Sequence, residues 1–183
     1  MSTMRIATKL SDDVQIGKNG FDCGNSTINE QIRESYYSTL LQHMYAYKIT
    51  MDDRVVGYYM LHFQSVIISA LPGELADRFS DMTHGLCYAL CLKYIAIDKP
   101  YQNRRIGQRA LLLIIANAQN LSKNWPIRFL TIDALAEKVG WYTKNGFKAF
   151  GSSADDGPTI KMYLDLHNDP ERLERYCNKQ LEA

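Results

Sequence analysis

The stretch Ile95-Ala-Ile-Asp-Lys-Pro-Tyr-Gln-Asn-Arg-Arg-Ile-Gly-Gln-Arg-Ala-Leu111 carries the reading of the chain. An apolar run ends at Asp98, and a polar loop containing Pro100 follows. A basic turn with Gly107 then opens into a long apolar segment. Strand, turn and helix in that order leave several backbone N–H groups unpaired at the helix N-terminus. The helix dipole adds about half a positive charge there, and phosphates bind at such places. Arg104, Arg105 and Arg109 add full charges in the same turn. The pattern points to a pyrophosphate cradle. Its alternative is a helix start with solvent-facing arginines.

The distribution of charge agrees with the cradle. The 183 residues carry a net charge of +1, but residues 1–92 are net −3, residues 93–128 net +6 and residues 129–183 net −2. The positive excess is thus confined to the segment around Gly107. The length fits one domain, with 46% hydrophobic and 22% charged residues, which excludes a disordered chain or a coiled coil. The longest apolar run, Ala110 to Ala116, falls far short of the ~20 residues that cross a bilayer. Residues 1–20 lack the pattern of a signal peptide. A soluble cytoplasmic protein without a membrane partner is expected. Cys23, Cys87, Cys91 and Cys177 are then expected as reduced thiols. Cys87 and Cys91 lie near His84, but their spacing fits no common zinc pattern, and no metal is expected.

Periodicity lays out the elements. Met4–Leu10 reads as a first strand. A helix from Ser26 to about His43 follows from Ile28, Ile32, Tyr36, Leu40 and Met44 at four-residue steps, with Asn25 or Ser26 as N-cap. Tyr45–Met51 and Arg54–Ser69 form a hairpin about Asp52-Asp53. Leu71–Gly85 is a loop with a short helix near Glu74–Phe79, and Leu86–Ile97 is an apolar strand. Gln102–Leu121 reads as a helix whose core face holds Ile106, Ala110, Leu113, Ala116 or Asn117, and Leu121. Ile127–Ile132 is a buried strand, and Leu135–Lys144 a helix stopped by Asn145-Gly146. Phe147–Phe150 and Thr159–Leu166 are final strands around the polar loop Gly151–Gly157. Asp169–Leu181 reads as a charged terminal helix. The result is an α/β domain with a mixed sheet, hairpin-rich in its first half and βαβ in its second. Residues 1–166 form the domain and 167–183 a C-terminal helical extension.

Gln102-Asn-Arg-Arg-Ile-Gly107 resembles the acyl-CoA loop of the GNAT N-acetyltransferases, whose pattern is Gln/Arg-x-x-Gly-x-Gly/Ala. Gln102 and Gly107 match. Arg105 stands where the first glycine usually sits, a departure that is tolerable where φ is negative. Trp141-Tyr-Thr-Lys-Asn-Gly-Phe147 resembles the family's aromatic-Tyr-x-x-x-Gly-Phe signature. Phe21-Asp-Cys-Gly-Asn-x-x-x-Asn29 and Arg54-Val-Val-Gly-Tyr-Tyr59 are similar to the GNAT toxins of bacterial toxin–antitoxin modules, some of which acetylate aminoacyl-tRNA.

The resemblance implies a GNAT-like fold in which two central parallel strands, Leu92–Asp98 and Ile127–Ile132, part to admit acetyl-CoA. Backbone groups of Ile95, Ala96 and Ile97 would pair with the pantetheine arm. The run Gln102, Asn103, Arg104, Arg105, Ile106, Gly107, Gln108, Arg109 and Ala110 would hold the pyrophosphate. A backbone N–H at Ile95 or Ile97 would stabilise the oxyanion. Tyr142 would protonate the leaving thiolate; its alternative is an aromatic packed on Trp141 and Phe147. Asp133 would orient an ammonium, or else cap a helix from Leu135 onward.

No carboxylate or histidine occurs from Leu86 to Ile97, where many GNAT enzymes carry a base. Water, Asp133, Glu137 or His62 would take the proton, or the acceptor amine already has a low pKa. An α-amine near ~7.7–8.0 meets that condition better than a lysine near ~10.4. Tyr36, Tyr37, Tyr45, Tyr47, Tyr58 and Tyr59 line an acceptor groove or simply pack in the sheet. Three functions follow in order: an acetyl-CoA-dependent transferase acting on a primary amine, a toxin-like enzyme for aminoacyl-tRNA with an antitoxin partner, and a non-catalytic CoA-binding module. A homodimer is a further expectation. The acidic flanks weigh against avid tRNA binding.

Overall fold

Among the described residues, the apolar runs pair into one seven-stranded sheet. β1 (Met4–Lys9), β2 (Tyr45–Met51), β3 (Arg54–Ile67), β4 (Leu86–Ile97), β5 (Phe129–Leu135), β6 (Lys148–Ala149) and β7 (Thr159–Asp165) lie in the order β1-β2-β3-β4-β5-β7-β6. Adjacent strands run antiparallel except β4 and β5, which are parallel. A parallel pair needs a crossover, supplied here by the helix α3 (Ile106–Ser122). The computed structural model describes residues 4–9, 20–77, 79, 85–150 and 159–167. The expected loop Gly151–Gly157, the terminal helix Asp169–Leu181, His84 and Cys177 lie outside them, as does all but His167 of the expected extension.

Helices cover both faces. α3 and α4 (Val139–Lys144) pack on one through Ile106, Ala110, Leu111, Ile114, Ala118 and Tyr142, against Leu90, Leu92, Leu130, Ile132 and Ala134. α1 (Ser26–Leu40) covers the other through Ile32, against Ala46, Tyr58, Met60, Tyr94 and Ala96. α2 (Gly73–Asp77) brings Leu75 and Ala76 to a third cluster with Cys87, Ala89 and Phe129. Asn25 is the N-cap of α1, its side chain accepting from the Ile28 N–H.

One irregularity organises the sheet. Met60 pairs with Tyr94, but the next residue, Leu61, pairs with Leu92. Lys93 is therefore an extra, exposed residue in β4, a β-bulge. Side chains alternate along a strand, so the bulge resets which residues face which helix. Leu90 and Leu92 face α3, whereas Tyr94 and Ala96 face α1.

Two helix faces differ from the sequence reading. In α3 the buried positions are Ile106, Ala110, Leu111, Ile114, Ala118 and Ser122, while Leu113, Ala116, Asn117 and Leu121 are exposed. The segment is apolar all round from Ala110 to Ala116, so periodicity alone could not select the face. In α1, Leu40 is exposed, and Ser35 and Thr39 are buried instead. Their hydroxyls donate to the carbonyls of Ile32 and Ser35, at 2.6 and 2.8 Å. α1 stops at Leu40 rather than His43, and α3 starts at Ile106 rather than Gln102. β5 begins two residues later and ends three later than expected.

Gly57 is a point of close approach between β3 and β4. A Cβ there would sit 2.5 Å from the Ala96 carbonyl oxygen and 2.8 Å from the Ile97 side chain. Gly57→Ala should therefore displace the end of β4 and cost about 1–3 kcal/mol, read as a lower urea midpoint at unchanged m-value. An unaltered midpoint would show that β3 and β4 are not held in this contact.

Candidate active site

The parallel strands pair only through Ala89, Leu90 and Cys91 against Phe129, Leu130 and Thr131. β4 nevertheless continues to Ile97 and β5 to Leu135. Beyond Cys91 and Thr131 the two strands part, as expected. The bulge at Lys93 gives the physical cause, since a bulge bends and twists its strand. β4 stays paired to β3 and leaves β5.

The parted edge of β4 exposes hydrogen-bonding groups. The Asp98 N–H donates to the Val56 carbonyl at 2.9 Å. Antiparallel rungs alternate between bonded and non-bonded pairs. Asp98 and Ala96 therefore turn their backbone groups to β3, and Ile97 and Ile95 turn theirs to the gap. This corrects one expectation: Ala96 is committed to β3 and to the α1 core, so Ile95 and Ile97 alone present backbone to the gap.

The basic turn lies at the end of the same strand. Arg105 precedes α3 as its N-cap. The Arg109 N–H donates to the Arg105 carbonyl at 3.0 Å, so the first regular helical bond is already made there. The N–H groups of Ile106, Gly107 and Gln108 remain outside that ladder. Arg109 therefore offers only its exposed guanidinium. Ala110, fully buried with its N–H inside the helix, offers packing and no donor. Arg104 and Arg105 are exposed. A Cβ on Gly107 would meet nothing closer than the Ile97 side chain at 3.6 Å. The protein itself has room for that methyl group.

Arg105 has φ +60° and ψ +12°, and Asn103 also has a positive φ. The condition of negative φ at Arg105 does not hold. An arginine occupies a left-handed position that glycine adopts more readily, a strain of order ~1 kcal/mol. Gln102 does not point at a ligand either. Its side-chain nitrogen donates to the carbonyls of Ile97 at 2.8 Å and Cys23 at 2.9 Å, tying the loop to the strand end.

A second set of residues, around Asp22, braces this loop. The Asp22 N–H donates to the Asp98 carboxylate, and the Lys99 N–H to the Asp22 carbonyl, at 3.0 and 2.9 Å. The Asp22 carboxylate accepts from Gly24 N–H, Asn29 Nδ2 and Lys99 Nζ, the last at 2.6 Å. Lys99 chiefly, then Asn29 and Gly24, hold the Asp22 carboxyl well below the usual carboxylate range. The spacing from Asp22 to Asn29 was the available signal; its partner, Lys99, is distant in sequence.

α4 stands on the α3 side of β5. Gln108 and Asn145 hydrogen-bond to each other through their amides, joining the first turn of α3 to the end of α4. Asn145 also donates to the Trp141 carbonyl at 2.8 Å. Tyr142 is buried, with edge contacts to Trp141 and Phe147 at 4.8 and 5.5 Å between centroids. No hydrogen bond of its hydroxyl is found among the described residues. Burial pushes its pKa above the ordinary phenol value, so it stays protonated. Packing and an available hydroxyl coexist in this residue.

Asp133 lies within β5, exposed, opposite Lys161 of β7. It caps no helix: α4 begins after Lys138 and the preceding 3₁₀ turn after Leu135. Of the tyrosines, Tyr47 and Tyr59 stack at 4.8 Å, and Tyr58 packs edge-on against Phe21. Tyr37 is exposed. Sheet packing accounts for the first three.

No protein-family model matches the chain, and no curated protein matches it in sequence. Solved structures do match. AtaT complexed with acetyl-methionyl-tRNAfMet superposes with a TM-score of 0.72 at 20% identity, over 90% of this chain and 95% of that one. A tyrosine-to-phenylalanine mutant of KacT gives 0.70 at 23%, over 87% and 93%. A tyrosine-to-phenylalanine mutant of the AtaT toxin, bound to the C-terminus of the antitoxin AtaR and acetyl-CoA, gives 0.65 at 20%, over 91% and 94%. The chain therefore has the GNAT fold, in the form of AtaT and KacT.

Proposed function

We propose that this chain is an acetyl-CoA-dependent N-acetyltransferase that acts on a primary amine. The observation that carries the reading is the parting of β4 from β5 beside the N-terminus of α3. A slender chain ending in a diphosphate suits that geometry. Its amides would pair with the outward backbone of Ile95 and Ile97. Its diphosphate would meet the N–H groups of Ile106, Gly107 and Gln108 and the guanidinium groups of Arg104, Arg105 and Arg109. Gly107 has no Cβ to hold a diphosphate away from these N–H groups. Acetyl-CoA has this shape and charge, and it is bound in the AtaT structure above.

The chemistry follows from the same parts. The N–H of Ile95 or Ile97 would stabilise the oxyanion, an interaction worth several kcal/mol in a dry site. Tyr142 keeps its proton and donates a hydrogen bond to sulfur as the thiolate departs. Structures of both AtaT and KacT carry one tyrosine replaced by phenylalanine, which supports a functional tyrosine in this fold.

The acceptor we infer is the amino group of an aminoacyl-tRNA, by analogy with the acetyl-methionyl-tRNAfMet held by AtaT. The absence of an acidic or imidazole side chain on β4 fits an α-amine acceptor. An antitoxin partner comes with that reading, since AtaT binds AtaR. The acidic flanks limit non-specific RNA binding and leave recognition to shape and to the charged segment around Gly107.

Acetyl-CoA at 100-fold excess over its Kd should stabilise the protein by ~2.7 kcal/mol, seen as a rise in Tm; no rise would end the reading. Gly107→Ala should keep or slightly raise Tm without ligand, since alanine is the better helix former by ~1 kcal/mol, and should weaken acetyl-CoA binding in calorimetry. Equal affinity would remove Gly107 from the cradle. Tyr142→Phe should lower kcat about 10²-fold at unchanged acetyl-CoA affinity. Unchanged turnover would assign the tyrosine to packing alone.

A further inference from the structure

The strand that many related enzymes use for a general base has none here, yet the next strand supplies one at the same level. His62 of β3 pairs with Cys91 of β4, and Cys91 pairs with Thr131 of β5. That row is the last rung before β4 and β5 part. Laterally paired residues share a face of the sheet. Leu61, Leu90 and Leu130 belong to the α3 side, so His62, Cys91 and Thr131 face the opposite side. Gln64, two residues along β3 on the same face, donates to Thr131 Oγ1 at 2.5 Å and links β3 to β5 across β4. Cys91 and Thr131 are buried and His62 is half-buried.

The tautomer of His62 is set by its neighbour. Nδ1 lies 3.2 Å from the Phe63 carbonyl oxygen. A carbonyl only accepts, so Nδ1 carries the hydrogen and, in the neutral ring, Nε2 carries the lone pair. The charged or titratable groups around the ring are Lys93 and Cys91 of β4, Asp133 of β5 and His43 beyond α1. Burial is the largest influence on the ring, and Lys93 and His43 add to it. The Phe63 carbonyl and Asp133 oppose them, and the net effect lowers the pKa below the usual histidine value. The ring is therefore neutral at pH 7. Burial raises the Cys91 thiol to about 11, which removes it as a competing base.

We propose that His62 is the proton acceptor of the transfer reaction, receiving at Nε2 the proton that the acceptor amine sheds at the apex of the gap. The inference rests on the acetyl-transfer reading above. The amine nitrogen forms a bond to the thioester carbonyl carbon, and the carbonyl π pair moves to oxygen. As that pair returns, the C–S bond breaks and sulfur leaves with its electrons. One N–H proton passes to His62 Nε2, and sulfur receives one from Tyr142. The imidazolium then releases its proton to solvent, and the phenol regains one. Amine and thioester thus give amide and thiol. Asp133 favours the imidazolium electrostatically while it lasts. The base then approaches from the side of the sheet opposite α3 and α4, so the acceptor enters from that side as well.

The test compares the full-length wild type with His62→Gln, using acetyl-CoA and either methionyl-tRNA or methionine amide as acceptor. Wild-type kcat/KM should fall on the acid side with two protonations, one of the amine and one of His62. The variant should lose about 10²-fold in kcat/KM near neutral pH and show a single acid-side protonation. Its acetyl-CoA affinity should match wild type, and added imidazole should restore part of the rate in His62→Ala. A wild type that transfers acetyl groups, with a His62→Gln variant of equal rate and pH profile, would overturn this inference and leave the function intact. A wild type that neither binds acetyl-CoA nor transfers would overturn both. If His62→Gln fails to fold, His62→Asn is read by the same criteria.

Discussion

Pairing between β4 and β5 stops after Cys91 and Thr131 because Lys93 is inserted into β4 opposite an uninterrupted β3. Unpaired backbone groups inside a protein are costly, so a sheet does not open at its centre without a reason. Here the opening leaves Ile95 and Ile97 with backbone directed at nothing in β5, a strand edge ready for an extended partner. The same insertion reverses the facing of side chains along β4. Leu92 joins the α3 core and Tyr94 the α1 core, so both halves of the strand are anchored while its edge stays open.

An open edge is useful only if the loop beyond it is held in place. Gln102 spans from Ile97 to Cys23, and Asp22 collects Lys99, Asn29 and the Gly24 N–H around one carboxylate. These contacts fix the start of a loop whose later residues, Asn103 and Arg105, sit in left-handed conformations. Such conformations persist only when the surroundings over-determine them. Arg105 exchanges the ease of glycine for a full positive charge at the helix tip, and the brace around Asp22 opposes the resulting strain. On the far side, the amides of Gln108 and Asn145 join the cradle to the helix that carries Tyr142.

The two faces of the sheet divide the chemistry. α3 and α4 bring the anion cradle and the tyrosine to one side. The other side holds Cys91 and Thr131 at the apex of the gap, His62 beside Cys91 on β3, and Asp133 further along β5. A thioester lying in the gap would be reached by proton donor and proton acceptor from opposite sides. In the proposed reaction, that arrangement would keep the leaving thiolate away from the base that serves the amine.

The element order, the parallel pair with its helical crossover, the basic turn at Gly107 and the aromatic signature around Tyr142 were determined by sequence alone, because each rests on local patterns of apolar, charged and glycine residues. Tertiary structure decided what depends on partners distant in the chain. The buried face of α3 was one such matter, since Ala110–Ala116 is apolar on every side. The bulge at Lys93 was another, visible only against β3. The brace between Asp22 and Lys99 joins residues 77 positions apart. His62 acquired its place by pairing across the sheet with Cys91, a relation set by strand register that no local sequence pattern encodes.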